Sequence, residues 1–155
     1  MFQAIVLPQR IAPPLLSRTV AGGAYGRHVD DAVMGEAPPL RTDVSVTVFL
    51  SDLSSYDGGE LIVESLSGED GAKFAAGDAV VYPSTFLHRV AEVTRGERLV
   101  AVTWVQSRVR DAGRREMLFD LDRARRQIFE RDGKCEAFDL VAKTYANLLR
   151  AWAEL

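Results

Sequence analysis

The sequence predicts a mainly β protein of the jelly-roll kind, with a pair of α-helices at its C-terminal end. Three observations carry this. From Leu15 to about Ser107, short apolar runs alternate with turn residues, the pattern of a sandwich or barrel. From Asp111 onward the glycine and proline punctuation nearly stops, and apolar residues recur at helical spacing. No repeat, low-complexity run or linker separates the two parts. The expectation is one domain, with residues 1–110 as the β core and residues 111–155 as a helical cap packed on it.

The elements follow in order. Asp43 to Leu50 alternates polar and apolar residues, which predicts a half-buried strand. Glu60 to Glu64 follows Asp57-Gly58-Gly59, which reads as a hairpin turn supplying positive φ. Asp78 to Tyr82 follows Ala76-Gly77 and stops at Pro83. Phe86 to Val93 and Glu97 to Val105 flank a predicted turn at Thr94-Arg95-Gly96. Arg114 to Arg131 carries Met117, Leu118, Leu121, Ile128 and Phe129 at helical spacing, and Asp132-Gly133 ends it. A second helix spans 136–152, with Leu140, Val141, Tyr145, Leu148, Leu149 and Trp152 on one stripe. Those stripes need a partner, and the sheet is the expected one.

Composition removes several function classes. The chain has 155 residues, 47% hydrophobic and 26% charged, with a formal net charge of −3. That is enough chain to bury a core without disulfides or a structural metal. No apolar run reaches the ~18 residues of a membrane span, and the N-terminus lacks the basic start and cleavage site of a signal peptide. A cytoplasmic protein without a membrane partner is expected. One cysteine, Cys135, rules out an internal disulfide and a thiolate cluster. The acidic balance points away from nucleic acid. Seven arginines between Arg108 and Arg126 are interleaved with acidic residues and read as a solvated helix face.

The chain has only two histidines. His28 precedes Asp30 by two positions, and on a strand such residues share a face. His88 lies on a later predicted strand. If the sheet folds so that these strands meet, two imidazoles and one carboxylate form the facial set that leaves positions open on a non-haem Fe(II). The alternative is one surface histidine and one core histidine bonded to a backbone carbonyl. Arg98 follows His88 by ten positions. Inside a barrel its guanidinium would need an anion and would match a carboxylate; on an edge strand it would pair with Glu97 or Glu92.

The run from His28 to Arg110 resembles the Fe(II)/2-oxoglutarate-dependent dioxygenases of the prolyl 4-hydroxylase superfamily. More narrowly it is similar to the bacterial PKHD-type hydroxylases, including the PiuC-like group associated with iron uptake. The matching stretches are Tyr25 to Asp30, Arg41 to Ser45, Phe49 to Asp52, Ser55 to Leu61, Ala76 to Asp78, Tyr82 to Ser84 with Leu87-His88, Val93 to Gly96 and Trp104 to Ser107. The tail segments Arg115 to Asp122 and Asn147 to Leu155 fit as well. The resemblance implies a double-stranded β-helix. It implies a hydroxylase that couples decarboxylation of 2-oxoglutarate to succinate with hydroxylation of a C–H bond. It also implies His28, Asp30 and His88 as catalytic iron ligands and Arg98 as the residue binding the far carboxylate of 2-oxoglutarate. O2, ascorbate as reductant, and a small-molecule or peptidyl substrate complete the expected partners.

Two departures stand out. Members of the group usually carry a helical segment ahead of the point where this chain starts. Its absence would leave apolar surface exposed, so a homo-oligomer is among the expectations. Relatives also commonly have a tyrosine that helps bind the co-substrate where Thr19 stands. Two rival readings stay open. One is a cupin-like metalloenzyme that works without 2-oxoglutarate, from which Arg98 would separate the dioxygenase. The other is a truncated, non-catalytic metal-binding jelly roll. Trp104 either packs in the core or lines the cavity behind the metal. Arg41 and Asp43 either pair or line the entrance.

Overall fold

The strand expected at 43–50 lies at the centre of the larger of two β-sheets. A computed structural model describes residues 1–154, so Leu155, the last residue of the predicted cap, lies outside it. The chain forms two compact units, residues 11–105 and residues 1–10 with 106 onward. In the first unit the larger sheet runs β2 (Leu15–Val20), β12 (Val93–Ser107), β6 (Val44–Phe49) and β10 (Ala79–Pro83), with neighbours antiparallel. The last two residues of β12 belong to the other unit. The smaller sheet runs β3 (Tyr25–His28), β11 (His88–Val90), β8 (Leu61–Ser65) and β9 (Gly68–Ala72). A ribbon of β4 (Val33–Met34) and β5 (Leu40–Arg41) joins β3 to β6.

β6 departs from its predicted role as a half-buried strand. Ser45 and Thr47 are as buried as Val44, Val46 and Phe49. The reason is its place between β12 and β10. A central strand covered on both faces has no solvent side, and its polar face looks into an internal cavity. The partners follow the pleat: Ser45 lies opposite Trp104 and Tyr82, and Thr47 opposite Val102 and Val80.

The predicted turn at 94–96 is instead strand. β12 begins at Val93 and pairs there with β7 (Tyr56–Gly58), with a shift of register between Val93 and Arg95. The chain does not reverse here: Ala91 N–H bonds the Glu60 carbonyl and Gly59 N–H bonds the Glu92 carbonyl, so the pairing of β11 runs on into that of β12 with β7, and β11 itself keeps three residues of the expected run. Gly96 has φ +74°, and a Cβ there would lie 2.0 Å from the Ser55 carbonyl oxygen. The glycine is needed for close approach to β7, not for a hairpin.

The second unit holds α1 (Phe2–Val6), β1 (Pro8–Ile11, whose last residue belongs to the first unit), α2 (Ala112–Asp132) and α3 (Glu136–Trp152). α1 has no counterpart among the expected elements. Asp111 caps α2 by accepting from the Arg114 N–H at 2.8 Å. Gly133, at φ +68°, ends the helix with its N–H on the Phe129 carbonyl. The ends of the unit are tied by backbone bonds from Arg108 N–H to Leu7 and from Glu154 N–H to Arg108.

The arginine-rich face is only partly a solvated surface. Arg115 is buried and donates to the carbonyls of Val109 and Arg110 at 2.8 and 2.7 Å. Asp122 is buried between Arg125 and Arg126 at 2.6 and 2.7 Å. The apolar stripes of the two helices meet each other, α2 against α3, and α2 also packs on α1. Leu118 is fully buried, whereas Leu140 is 52% exposed. Leu118→Ala is therefore expected to lower stability by ~2–5 kcal/mol in urea denaturation, and Leu140→Ala to stay within ~0.5 kcal/mol of the parent.

Candidate functional site

The smaller sheet brings the two histidines together. His28 closes β3, His88 opens β11, and the two are direct partners in the antiparallel ladder. The ring centroids lie 4.2 Å apart with planes at 52°. Further along the pair, Val90 faces Tyr25, so β3 has one residue more than β11 over the same stretch. Such a bulge turns a side chain toward a site, and Tyr25 and His28 both line the cavity. Asp30 lies past the end of the strand. Although β3 ends at His28, the carboxylate still stands beside the imidazole, as the sequence spacing suggested. Its Oδ1 is 4.0 Å from Nε2 of His28 and 3.8 Å from Nε2 of His88. One ligand atom from each residue falls within 4.8 Å of the others.

The chemistry of this set fits a divalent cation. Nδ1 of His28 bonds the Gly26 carbonyl oxygen at 2.8 Å, and Nδ1 of His88 bonds the Phe86 carbonyl oxygen at 3.1 Å. A carbonyl only accepts, so each Nδ1 carries the proton. With Nδ1 so engaged, Nε2 is the nitrogen turned toward Asp30 in each ring. Outer bonds that set the tautomer are the usual support of metal-ligating imidazoles. The expected alternative of a core histidine satisfied by a carbonyl is thus half true: the carbonyl bond exists and leaves the other nitrogen available.

The carboxylate has its own support. Ser45 Oγ donates to Asp30 Oδ2, and Ser84 Oγ lies 2.7 Å from Ser45 Oγ. Both serines are buried, at 0% and 3% exposure. The ring of Tyr82 stands edge-on to His88 at 5.1 Å. Burial, reinforced by the Asp30 charge, pushes the Tyr82 phenol far above its ordinary range. It therefore stays protonated.

A cavity of about 480 Å³ connects these groups with Arg98. Arg98 is 2% exposed, and its Nε has no hydrogen-bond partner. Among the described residues no carboxylate pairs with it, so neither Glu97 nor Glu92 plays that part. Burial pushes the guanidinium below its ordinary pKa, opposed by the nearby phenols of Tyr56 and Tyr82. An arginine does not lose its proton in a protein, and an unpaired buried cation costs several kcal/mol. The site therefore fits an anion. Gly59, at φ +68°, makes room for the side chain. A Cβ there would stand 3.0 Å from Arg98 Cδ and 3.2 Å from Tyr56 Cε2. Thr19 faces Arg98 directly across β2 and β12 and also lines the cavity.

The structure thus brings His28, Asp30, His88 and Arg98 to one cavity. Trp104 takes the lining position, and Arg41 pairs with Asp43 at 2.7 Å. Cys135 precedes α3 and takes no part. Sequence reasoning missed Ser45, Thr47, Tyr82 and Ser84 as groups around the carboxylate. The available signal was the spacing of Ser45 and Thr47, which share one face of β6 with no need for both to meet solvent.

Comparison with known proteins agrees with this geometry. The 2OG-Fe(II) oxygenase superfamily pattern matches residues 15–106, and the PKHD-type hydroxylase C-terminal domain matches residues 112–154. A PKHD-type hydroxylase of Thermosynechococcus vestitus is 53% identical over 156 residues, covering 100% of this chain and 70% of that protein. One from Maricaulis maris is 53% identical over 153 residues, covering 99% and 68%. The crystal structure of a Pseudomonas putida prolyl-4-hydroxylase superposes with a TM-score of 0.53 at 26% identity, over 66% of this chain and 56% of that one. The larger and smaller sheets are accordingly those of the expected jelly roll. No helix among the described residues is long and apolar enough to cross a membrane. Titration with Co(II) is expected to show one bound equivalent. Nε2 must be unprotonated to hold the ion, so protons compete with it and affinity should fall as the pH is lowered.

Proposed function

Because the chain belongs to the PKHD-type hydroxylases of the 2OG-Fe(II) oxygenase superfamily, we propose that His28, Asp30 and His88 hold its Fe(II) and Arg98 its 2-oxoglutarate. The protein is an Fe(II)- and 2-oxoglutarate-dependent dioxygenase. Bound Fe(II) supplies the redox chemistry by which O2 converts 2-oxoglutarate to succinate and carbon dioxide while a substrate C–H is hydroxylated. The chain supplies everything else. The two imidazoles present Nε2 without rotation, because Nδ1 is already bonded to backbone. Asp30 presents Oδ1, because Oδ2 is already bonded to Ser45.

The observation that carries this reading is Arg98, a buried cation without a carboxylate, sharing one cavity with the His-Asp-His set. A dicarboxylate meets both needs at once. One end reaches the metal, and the other forms charge-assisted bonds with the guanidinium. A cupin-like enzyme without 2-oxoglutarate gives Arg98 no partner and is disfavoured for that reason. Thr19 offers a hydroxyl beside the guanidinium where relatives present a tyrosine. Val100 and Val102 form an apolar wall along the cavity and limit water around the reacting groups.

The finer assignments come from the resembling group. They are ascorbate as the reductant, a cytoplasmic setting, and a small-molecule or peptidyl substrate connected with iron uptake. The test is succinate formation from 2-oxoglutarate with Fe(II) and ascorbate under air. His88→Ala is expected to abolish it, and full succinate production by that variant would sink the ligand assignment. Arg98→Ala is expected to raise the KM for 2-oxoglutarate about tenfold or more, since a hydrogen bond to a charged group is worth ~1.5–3 kcal/mol. An unchanged KM would return the cupin-like reading.

A further inference from the structure

We propose that Ser45 is a positioning residue, the hub of a one-way hydroxyl network that commits Asp30 to bind the metal through Oδ1 alone. The proposal rests on the reading that His28, Asp30 and His88 are the metal ligands.

The direction of each bond follows from a count of protons. As a carboxylate, Asp30 only accepts, and a serine hydroxyl has one proton to give and two lone pairs to offer. The single proton of Ser45 goes to Oδ2 of Asp30. Its oxygen can then only accept. Ser84, whose Oγ stands at 2.7 Å, therefore donates to it. Both protons run toward Asp30, from Ser84 and then from Ser45, the last donor.

Each member is held in place by the fold. Ser45 and Tyr82 are register partners on β6 and β10. Ser84 follows Pro83 at the end of β10, with its N–H on the Asp43 carbonyl at 3.2 Å. Ser45 and Ser84 are both buried, so water does not compete for these bonds. A chain of aligned hydroxyls strengthens its last bond. That last bond falls on Oδ2, so Oδ1 is left facing the two Nε2 atoms at 3.8 and 4.0 Å. The network thus acts on the metal through the carboxylate and touches neither metal nor substrate.

The experiment measures the Kd for Co(II), with the visible spectrum of the bound ion as a report of its coordination. Fe(II) under anaerobic conditions serves as the second probe. Ser45→Ala is expected to weaken binding about 10–100-fold and to alter the Co(II) spectrum while leaving the far-UV circular dichroism unchanged. Ser84→Ala is expected to weaken it less. It should add nothing in the Ser45→Ala background, because Ser84 acts through Ser45. A folded Ser45→Ala protein with the parent Kd overturns the proposal, as does a Ser84→Ala effect that persists in that background. Should Ser45→Ala fail to fold, Ser84→Ala decides. Weaker binding supports the network, and parent affinity overturns it. His88→Ala separates this outcome from failure of the underlying reading. If it still binds Co(II) as the parent does, the ligand assignment falls and the network's role falls with it. If it does not bind while Ser45→Ala keeps the parent Kd, the network alone is wrong.

Discussion

His28 and His88 stand directly opposite each other across the β3–β11 ladder, so the register of that pairing decides whether two imidazoles face the cavity. A slip of one residue would turn one ring to the other face of the sheet. The register is held from both sides. β11 is also paired with β8, where His88 meets Val63 and Val90 meets Leu61. Leu61 and Val63 pack with Tyr82 in one buried cluster, with Val90 and Phe86 against it. The apolar packing that stabilises the smaller sheet therefore also sets the metal ligands. A change that loosens the cluster acts on the ligands before it acts on the fold.

The larger sheet makes the opposite compromise. Its inner face carries Arg98, Thr47 and Ser45, none of which favours burial alone. The Ser45 hydroxyl is satisfied by Asp30 and Ser84, which removes most of its desolvation cost. Arg98 has no such solution within the protein. The Tyr56 hydroxyl and Trp104 Nε1 are also buried without partners. Arg98 lines the cavity, where a bound anion relieves its lack of a partner. Ligand binding and folding stability are thereby linked.

Much of this was legible in the sequence, and the parts that were not share a cause. α3 was placed at 136–152, where it lies, because its stripe and its flanking Asp132-Gly133 and Cys135 are local features. β6 and β10 were placed within a residue for the same reason. The turn at 94–96 was misread because glycine marks either a reversal or a close approach, and only the position of β7 decides between them. The half-buried reading of β6 failed because alternation reports polarity, not the presence of solvent. At the site, the types and spacing of His28, Asp30 and His88 were informative. The hydroxyls behind Asp30 were not, since Ser45 and Ser84 come together only when β6 pairs with β10.

One detail of the imidazoles bears on how freely such a protein can change. Each Nδ1–H bonds a carbonyl two residues earlier in its own chain segment, Gly26 for His28 and Phe86 for His88. No side chain takes part. The tautomer of each ring is therefore written into three consecutive residues and depends only on their backbone. Positions that line the cavity without packing on either ring's backbone bond, such as Val29 and Met34, carry none of that burden. A lineage can exchange them to suit a new substrate while both rings keep their tautomer.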